Sequence, residues 1–127
     1  MMNRSIAREK AMQVLFQLDV NNSEPAEAIQ SFLGEEEGNY FLTGLVEGVT
    51  QNQGGIDAII VKHLENWTID RIAAVEKTIL RIATYEIHYM EDIPESVSIN
   101  EAVELAKKYG DEQSGKFVNG VLSKIIF

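Results

Sequence analysis

The most regular pattern of apolar and polar positions in this chain runs from Thr68 to Met90. Apolar residues recur there at intervals of three and four, which is helical spacing, in two neighbouring rows: Ile72, Val75, Ile79, Ile82, Ala83 and Ile87, and Ala73, Leu80 and Ala83. The remaining polar strip is narrow: Lys77, Arg81, Thr84 and His88. A helix that is apolar around most of its circumference is normally enclosed by other helices. The pattern therefore predicts a central helix that Thr68 can cap and Pro94 stops.

Stretches with the same period precede this helix. Asn3 or Ser5 can cap a first helix that runs to about Val20. Two further amphipathic stretches follow, and Asn39 can cap the second of them. A Gln-Gly-Gly break at residues 53–55 then predicts the start of a fourth helix beyond it.

Two more helices are predicted after the central one. Ser98 and Glu101 have the spacing of a capping box, and the helix they begin would end at Gly110, because glycine commonly terminates helices. Residues 111–115 are predicted as a polar turn. Gly120 lies inside the last helix, where glycine costs about 1 kcal/mol relative to alanine. We therefore expect another helix to approach Gly120 closely.

These elements number about seven short helices, and no stretch shows the alternation of a strand. A chain of 127 residues is long enough for one domain with one sizeable core. We therefore expect an all-α fold in which a single domain, residues 1–127, packs around the central helix.

The composition restricts the cellular compartments and the kinds of binding partner that fit this protein. The chain has no cysteine, which excludes a disulfide framework and a thiolate metal site, and no apolar run reaches the length of a membrane span. Both features fit a cytoplasmic protein. The formal net charge is −9, and residues 21–66 carry eight acidic residues against the single Lys62. This segment is either a solubilising face or a docking surface for a basic partner.

No catalytic arrangement is visible. The chain lacks a phosphate-binding glycine loop and an HExxH motif, and His63 and His88 are predicted on different helices. We expect no catalysis, no cofactor and no metal. Arg4 and Arg8 are more informative, because their spacing places both on one face near the start of a helix, where cations are unfavourable. They are either solvated surface arginines or are kept there by a binding function.

Three stretches carry a resemblance: RSIAREKAMQVLFQLD at 4–19, AVEKTILRIATYE at 74–86 and INEAVELAKKYGDEQSGKFVNGVL at 99–122. Together they resemble the NusB family of bacterial transcription antitermination factors, over nearly the whole chain. The resemblance implies two small helical subdomains, which we expect to divide near residues 66/67. It also implies binding to the boxA RNA of ribosomal RNA leader transcripts together with NusE, a small-subunit ribosomal protein. This pair would join other Nus factors and RNA polymerase to read through terminators.

The resemblance also implies site residues. The family's RNA surface, carried over to this chain, gives Arg4, Arg8, Gln13, Phe16, Lys116 and Phe117, and we add Asn119 as a hydrogen-bonding residue. The family's partner surface lies on the exposed side of the central helix and its approach, which gives Asp70, Glu76 and Arg81. We expect Phe16 or Phe117 to stack on unpaired bases, although Phe117 could equally belong to the core. Arg8→Ala is expected to weaken RNA binding without changing thermal stability.

Two other functions remain open. The chain could be a helical protein-interaction or dimerisation module that does not touch RNA, and a homodimer through the first helix would hide its arginines. It could also be the RNA-targeting domain of a ribosomal RNA methyltransferase, but it contains no cofactor-binding βαβ region. For the RNA-binding function, few cations on an acidic protein predict that RNA binds better to the complex with a basic partner than to either protein alone.

Overall fold

The computed structural model of this chain describes residues 3–21, 24–33, 40–65 and 68–126. These residues form seven α-helices and one 3-10 turn, and no strand. The helices are α1 Arg4–Asn21, α2 Pro25–Leu33, α3 Tyr40–Gln51, α4 Gln53–Lys62, α5 Ala74–Tyr89, α6 Glu95–Tyr109 and α7 Glu112–Ile125. The predicted all-α class and the number of helices are confirmed. The predicted cap at Asn39 and the division near residues 66/67 lie outside the described residues.

Helix α5 is the centre of the fold, as its two apolar rows predict. It packs against α1, α3, α4, α6 and α7, and Leu80 and Ala83 are buried in the core. The enclosure extends into the polar strip, because Thr84 is fully buried and Arg81 is only 8% exposed. The Thr84 hydroxyl has no hydrogen-bond partner among the described residues. Within the strip only His88 is exposed to solvent.

The central helix is shorter than predicted. Thr68 precedes a 3-10 turn, Ile69–Arg71, and its side chain makes no capping bond. The backbone is then extended at Ile72 and Ala73, with ψ angles of 137° and 140°, so that α5 begins only at Ala74. The extended pair lets the Ile72 side chain enter the core while the turn remains at the surface. The predicted continuous helix from Thr68 is therefore wrong, because packing of Ile72 decides where the helix starts.

Of the two predicted caps at the start of α1, Asn3 is confirmed, because its Oδ1 accepts a hydrogen bond from the Ile6 amide at 2.8 Å. The predicted break at residues 53–55 is wrong, since these residues form the first turn of α4. The connection from α3 is Asn52, whose side-chain amide donates to the Gly48 carbonyl at 2.8 Å. This bond closes the end of α3, so that a single residue is sufficient to separate the two helices.

Helix α6 also begins earlier than predicted. It starts at Glu95, directly after Pro94, whose ring holds φ near the helical value. Ser98 therefore lies inside the helix and is buried, where its hydroxyl donates to a Glu86 carboxylate oxygen at 2.9 Å. The predicted capping box is wrong, because the Ser98 hydroxyl binds Glu86 of another helix and not a backbone amide of α6. Gly110 ends α6 as predicted, with a φ of −122° that is not left-handed.

Helix α7 includes most of the segment predicted as a polar turn. Asp111 caps it by accepting a hydrogen bond from the Ser114 amide at 2.9 Å, and the same bond lowers the pKa of the Asp111 carboxyl. The turn predicted over residues 111–115 is thus wrong apart from its first residue. The close helix contact expected at Gly120 is also wrong, because an ideal Cβ there would meet no heavy atom of the described chain within 4 Å.

Helices α3 and α4 lie against aromatic residues of α5. A Cβ at Gly48 would overlap the ring of Tyr85. That ring stacks on Tyr89, with centroids 5.3 Å apart, and the Tyr89 hydroxyl is 2.9 Å from the position of a Cβ at Gly55. Glycine at these two positions therefore permits the close approach of both helices to α5.

Candidate nucleic-acid interface

Arg8 lies in the interior of the protein. It is 3% exposed, and its partner Glu86 on α5 is 1% exposed. The guanidinium donates two parallel hydrogen bonds of 2.8 Å to the carboxylate, from Nε and from Nη2. Glu101 of α6 lies 3.7 Å from Nη1. The alternative of a solvated surface position for Arg8 is wrong, because side chains of α5 and α6 cover this turn of α1. Burial of the ion pair leads us to expect a loss of stability on replacement of Arg8, in place of the unchanged stability that the sequence suggested. Its contact with RNA stays a prediction.

Arg4 lies one turn earlier and is exposed. Its guanidinium carbon is 4.6 Å from the centroid of the Phe41 ring on α3, which is the geometry of a cation–π contact. Asp92 lies 3.9 Å from Nη2, and both side chains are more than half exposed, so this ion pair is weak. Arg4 is therefore a solvent-accessible cation whose position is restrained by Phe41, a residue that no local sequence signal connects to Arg4.

Gln13 belongs to a hydrogen-bond chain that joins α1 to the end of α6. Lys108 Nζ lies 2.8 Å from Glu9 Oε2, and the Tyr109 hydroxyl donates to the same oxygen. Since a carboxylate only accepts and this hydroxyl already donates to it, the hydroxyl must accept the next bond. That bond comes from Gln13 Nε2 at 2.9 Å. This series of hydrogen bonds therefore fixes the Gln13 amide with its nitrogen towards Tyr109 and its carbonyl oxygen on the other side.

The protonation states of Glu9, Lys108 and Tyr109 favour this arrangement of hydrogen bonds. The bond to Lys108, and then the bond to Tyr109, lower the pKa of the Glu9 carboxyl. The bond to Glu9 in turn raises the pKa of Lys108 and of Tyr109. Glu9 is therefore ionised and Tyr109 neutral at neutral pH, as the orientation of Gln13 requires. Sequence reasoning missed Glu9 and Tyr109, because the contacts cross about a hundred positions of the chain.

A groove of about 240 Å³ lies between α1 and α6, beside these bonds. Its lining residues are Ser5, Ile6, Glu9, Glu101, Glu104, Leu105 and Lys108. Three carboxylates against one ammonium group make this groove unfavourable for a phosphate. An RNA strand that contacts Arg4 and Gln13 is therefore expected to pass outside it.

The remaining predicted RNA residues lie on α1 and α7. Phe16 is half-buried, one turn after Gln13. On α7, Lys116 and Asn119 are exposed. Phe117 is half-buried and packs against the core, so that only part of its ring can meet a base.

The structure thus connects some of the predicted residues and separates others. Gln13 on α1 is hydrogen-bonded to Tyr109, the last residue of α6. Helix α7 begins three residues later in the sequence, at Glu112. The Arg4 side chain contacts the Phe41 ring of α3, and the Arg8 side chain is buried against Glu86 and Glu101. The available surface therefore consists of the outer part of α1 and the exposed face of α7. Whether these residues touch RNA stays a prediction.

The predicted partner residues also differ in exposure. Asp70 is exposed in the 3-10 turn before α5, and Glu76 is half-buried in the first turn of α5. Arg81 is buried and donates two hydrogen bonds to Asp57 of α4, at 2.8 and 2.9 Å. The expected exposed position of Arg81 is wrong, because α4 packs over this side of α5. Its contact with a partner stays a prediction.

Glu76 lies close to a second acid. Burial, and then the charge of Asp111 at the start of α7, raise the pKa of the Glu76 carboxyl. No basic side chain pairs with Glu76 in the part of the chain that the structure describes. A basic side chain of a bound partner would therefore reduce the repulsion between the carboxylates of Glu76 and Asp111.

In the described ranges, no three histidine or acidic side chains are grouped so that they could hold a metal ion. Among the helices of those ranges, none has the length and apolar character needed to cross a membrane.

Comparison with known proteins gives a consistent result. The model of the NusB family matches residues 5–127. A protein of Oceanobacillus iheyensis named "Transcription antitermination protein NusB" is 63% identical over 125 residues, which is 98% of this chain and 99% of that protein. Its namesake in Bacillus subtilis is 55% identical over 124 residues, 98% of this chain and 95% of that protein.

Solved structures agree with the sequence matches. NusB of T. maritima has a TM-score of 0.89 and 35% identity, and the match covers 98% of this chain and 90% of that one. A chain in the crystal structure of the antitermination factors NusB and NusE in complex with dsRNA has a TM-score of 0.87 and 35% identity. That match covers 96% of this chain and 94% of the other.

Proposed function

Because this chain belongs to the NusB family, we propose that it is a transcription antitermination factor that binds boxA RNA of ribosomal RNA transcripts together with the ribosomal protein NusE. The observation that carries the proposal is the similarity to a chain from the complex of NusB, NusE and dsRNA. The pair would join other Nus factors and RNA polymerase on the nascent transcript. This function places the protein in the bacterial cytoplasm and requires no catalysis.

The charges on the surface explain why a partner is needed. The protein has a net charge of −9, which repels phosphate at long range. Of the candidate RNA residues, Arg4 and Lys116 are the exposed cations. Each phosphate contact contributes about 0.7 to the salt dependence of single-strand binding, so two contacts support only weak binding. A basic partner would screen the acidic surface and add cations of its own.

Base recognition would come from the groups that the structure orients. Gln13 presents a carbonyl oxygen fixed by Tyr109, which suits the exocyclic amino group of an unpaired base. Asn119 offers a second amide on α7, and the exposed parts of Phe16 and Phe117 offer aromatic surfaces for stacking. Arg4 and Lys116 would position the strand through its phosphates.

The first prediction concerns RNA affinity. We expect the complex with NusE to bind labelled boxA RNA about tenfold or more tightly than this protein alone, since a tenfold change needs only about 1.4 kcal/mol of added contacts. Arg4→Ala in the complex should lower the affinity and reduce the slope of log K against log salt by about 0.7. Fluorescence anisotropy at several salt concentrations measures both quantities.

The matched control is Lys62→Ala, which removes one exposed charge from the end of α4. It should leave the salt slope unchanged. Equal slopes for the Arg4 and Lys62 variants would reject Arg4 as a phosphate contact. Failure of the complex to retain boxA RNA at low salt would reject the proposed function and favour a protein-interaction or dimerisation module.

The second prediction concerns the partner surface. Glu76→Lys should weaken binding of NusE by about tenfold, because it replaces an attraction to a basic partner by repulsion, an effect that is large for close charge pairs. The fold should be retained, since the new ammonium group would lie near the carboxylate of Asp111. Titration calorimetry measures the affinity, and thermal unfolding tests the fold.

Glu95→Lys is the matched control, because Glu95 is an exposed acid that also lies in the first turn of a helix. Its affinity for NusE should equal that of the parent. If both variants lose the same affinity, only the net charge matters, and the partner surface does not include Glu76.

A further inference from the structure

We propose that Gly120 is a contact point for RNA, at which a nucleotide lies directly against the backbone of α7. The inference rests on the proposed RNA-binding function and assigns to this glycine a role in shaping the binding surface. It concerns a position for which the fold itself supplies no reason to lack a side chain.

The structure does not need glycine at this position. Gly120 lies in the second half of α7 with helical neighbours on both sides, where glycine is a weaker helix former than alanine. A Cβ there would meet no heavy atom within 4 Å in the described part of the chain, and no left-handed φ is present. Gly48 is different, because a Cβ at that position would overlap Tyr85. The open space beside Gly120 therefore faces solvent.

The surroundings of this open space suit a nucleotide. Helical spacing places Gly120 one turn from Lys116 and one turn from Lys124, and both lysines are exposed. Lys124 Nζ lies 2.9 Å from a carboxylate oxygen of Glu65, whereas no ion pair involves Lys116 among the described residues. Lys116 therefore offers its charge to a phosphate, while the charge of Lys124 is shared with Glu65.

The aromatic neighbour defines the geometry further. Phe117 precedes Gly120 by three residues and therefore lies next to it on the helix surface. It is half-buried, so part of its side chain is accessible to a ligand. A base that stacks on this part of the ring extends over the helix backbone at position 120, where a methyl group would hold it away. The missing Cβ thus permits contact of the base with Phe117 and of its phosphate with Lys116 at the same time.

The test is Gly120→Ala, for which the two measured quantities should change in opposite directions. The midpoint of thermal unfolding should rise by about 3–5 °C, because alanine favours the helix and meets no clash. The dissociation constant of the NusE complex for boxA RNA should rise about tenfold, because the methyl group displaces the base. A purely structural role for Gly120 would instead lower stability and leave RNA affinity unchanged.

Gly54→Ala is the control, because Gly54 is an exposed helical glycine of α4 that has equally open surroundings. It should leave RNA affinity unchanged. If Gly120→Ala binds RNA as well as the parent complex does, the inference is overturned while the proposed function stands. Loss of NusE binding by Gly120→Ala without RNA would also overturn it, by assigning the surface to the protein partner. If the parent complex does not bind RNA, both fail.

Discussion

Replacement of Arg8 by alanine is expected to lower the free energy of unfolding by about 3–5 kcal/mol, the range for removal of one partner from a buried ion pair. The variant would leave the carboxylate of Glu86 buried with Ser98 as its remaining hydrogen-bond donor, without a compensating cation in the pair. Urea unfolding followed by circular dichroism measures the change.

Two further variants show whether the buried charge is the cause. Arg71→Ala removes an exposed arginine from the 3-10 turn and should change stability by less than about 0.5 kcal/mol. The double variant Arg8→Met with Glu86→Leu removes both charges and should recover much of the loss, since apolar pairs often replace buried ion pairs at little cost. A double variant no more stable than Arg8→Ala would assign the loss to packing.

Gly48→Ala is expected to destabilise the protein by about 1–3 kcal/mol, the usual cost of overpacking. The added Cβ would overlap the ring of Tyr85, which cannot move freely because it stacks on Tyr89. Thermal unfolding measures the effect, and a lower midpoint than that of the parent is expected.

Gly44 provides the control on the same helix. A Cβ at this exposed position meets nothing within 4 Å, so Gly44→Ala should stabilise α3 by about 1 kcal/mol. The cost of Gly48→Ala should also fall when Tyr85 is replaced by alanine, because the two changes share one contact. An unchanged cost in that background would show that the ring of Tyr85 is not the obstacle.

The position of Arg8 changes how RNA-binding mutants of this protein should be interpreted. An Arg8 variant that loses RNA affinity is expected to lose stability as well, so its affinity alone does not identify a contact. Arg4 is the better probe, because it is exposed and does not belong to the buried ion pair. The two arginines share only the Phe41 ring, whose centroid lies 4.6 Å from the guanidinium carbon of Arg4 and 5.0 Å from that of Arg8. The same reasoning separates Glu76, which is half-buried, from Arg81, which is enclosed with Asp57.

The amino-acid sequence by itself determined the helical class, the number of helices and the central position of α5. These features depend on contacts between residues three and four positions apart, so the spacing of apolar residues in the sequence indicates them directly. The three family stretches also determined the family. Gln13 and Asn119 were predicted on helices that the structure confirms, whereas Lys116, predicted beside the turn before the last helix, lies within α7. The cap at Asn3 could also be predicted, because the amide that it binds is only three residues away.

Only the tertiary structure decided which charged side chains are enclosed and where several helices begin. Arg8 and Glu86 are 78 positions apart, and Ser98 becomes a buried donor instead of a cap because Glu86 lies beside it. The start of α5 depends on the burial of Ile72, and the orientation of Gln13 depends on Tyr109. Each of these features is set by a partner from a distant part of the chain, which local spacing does not encode.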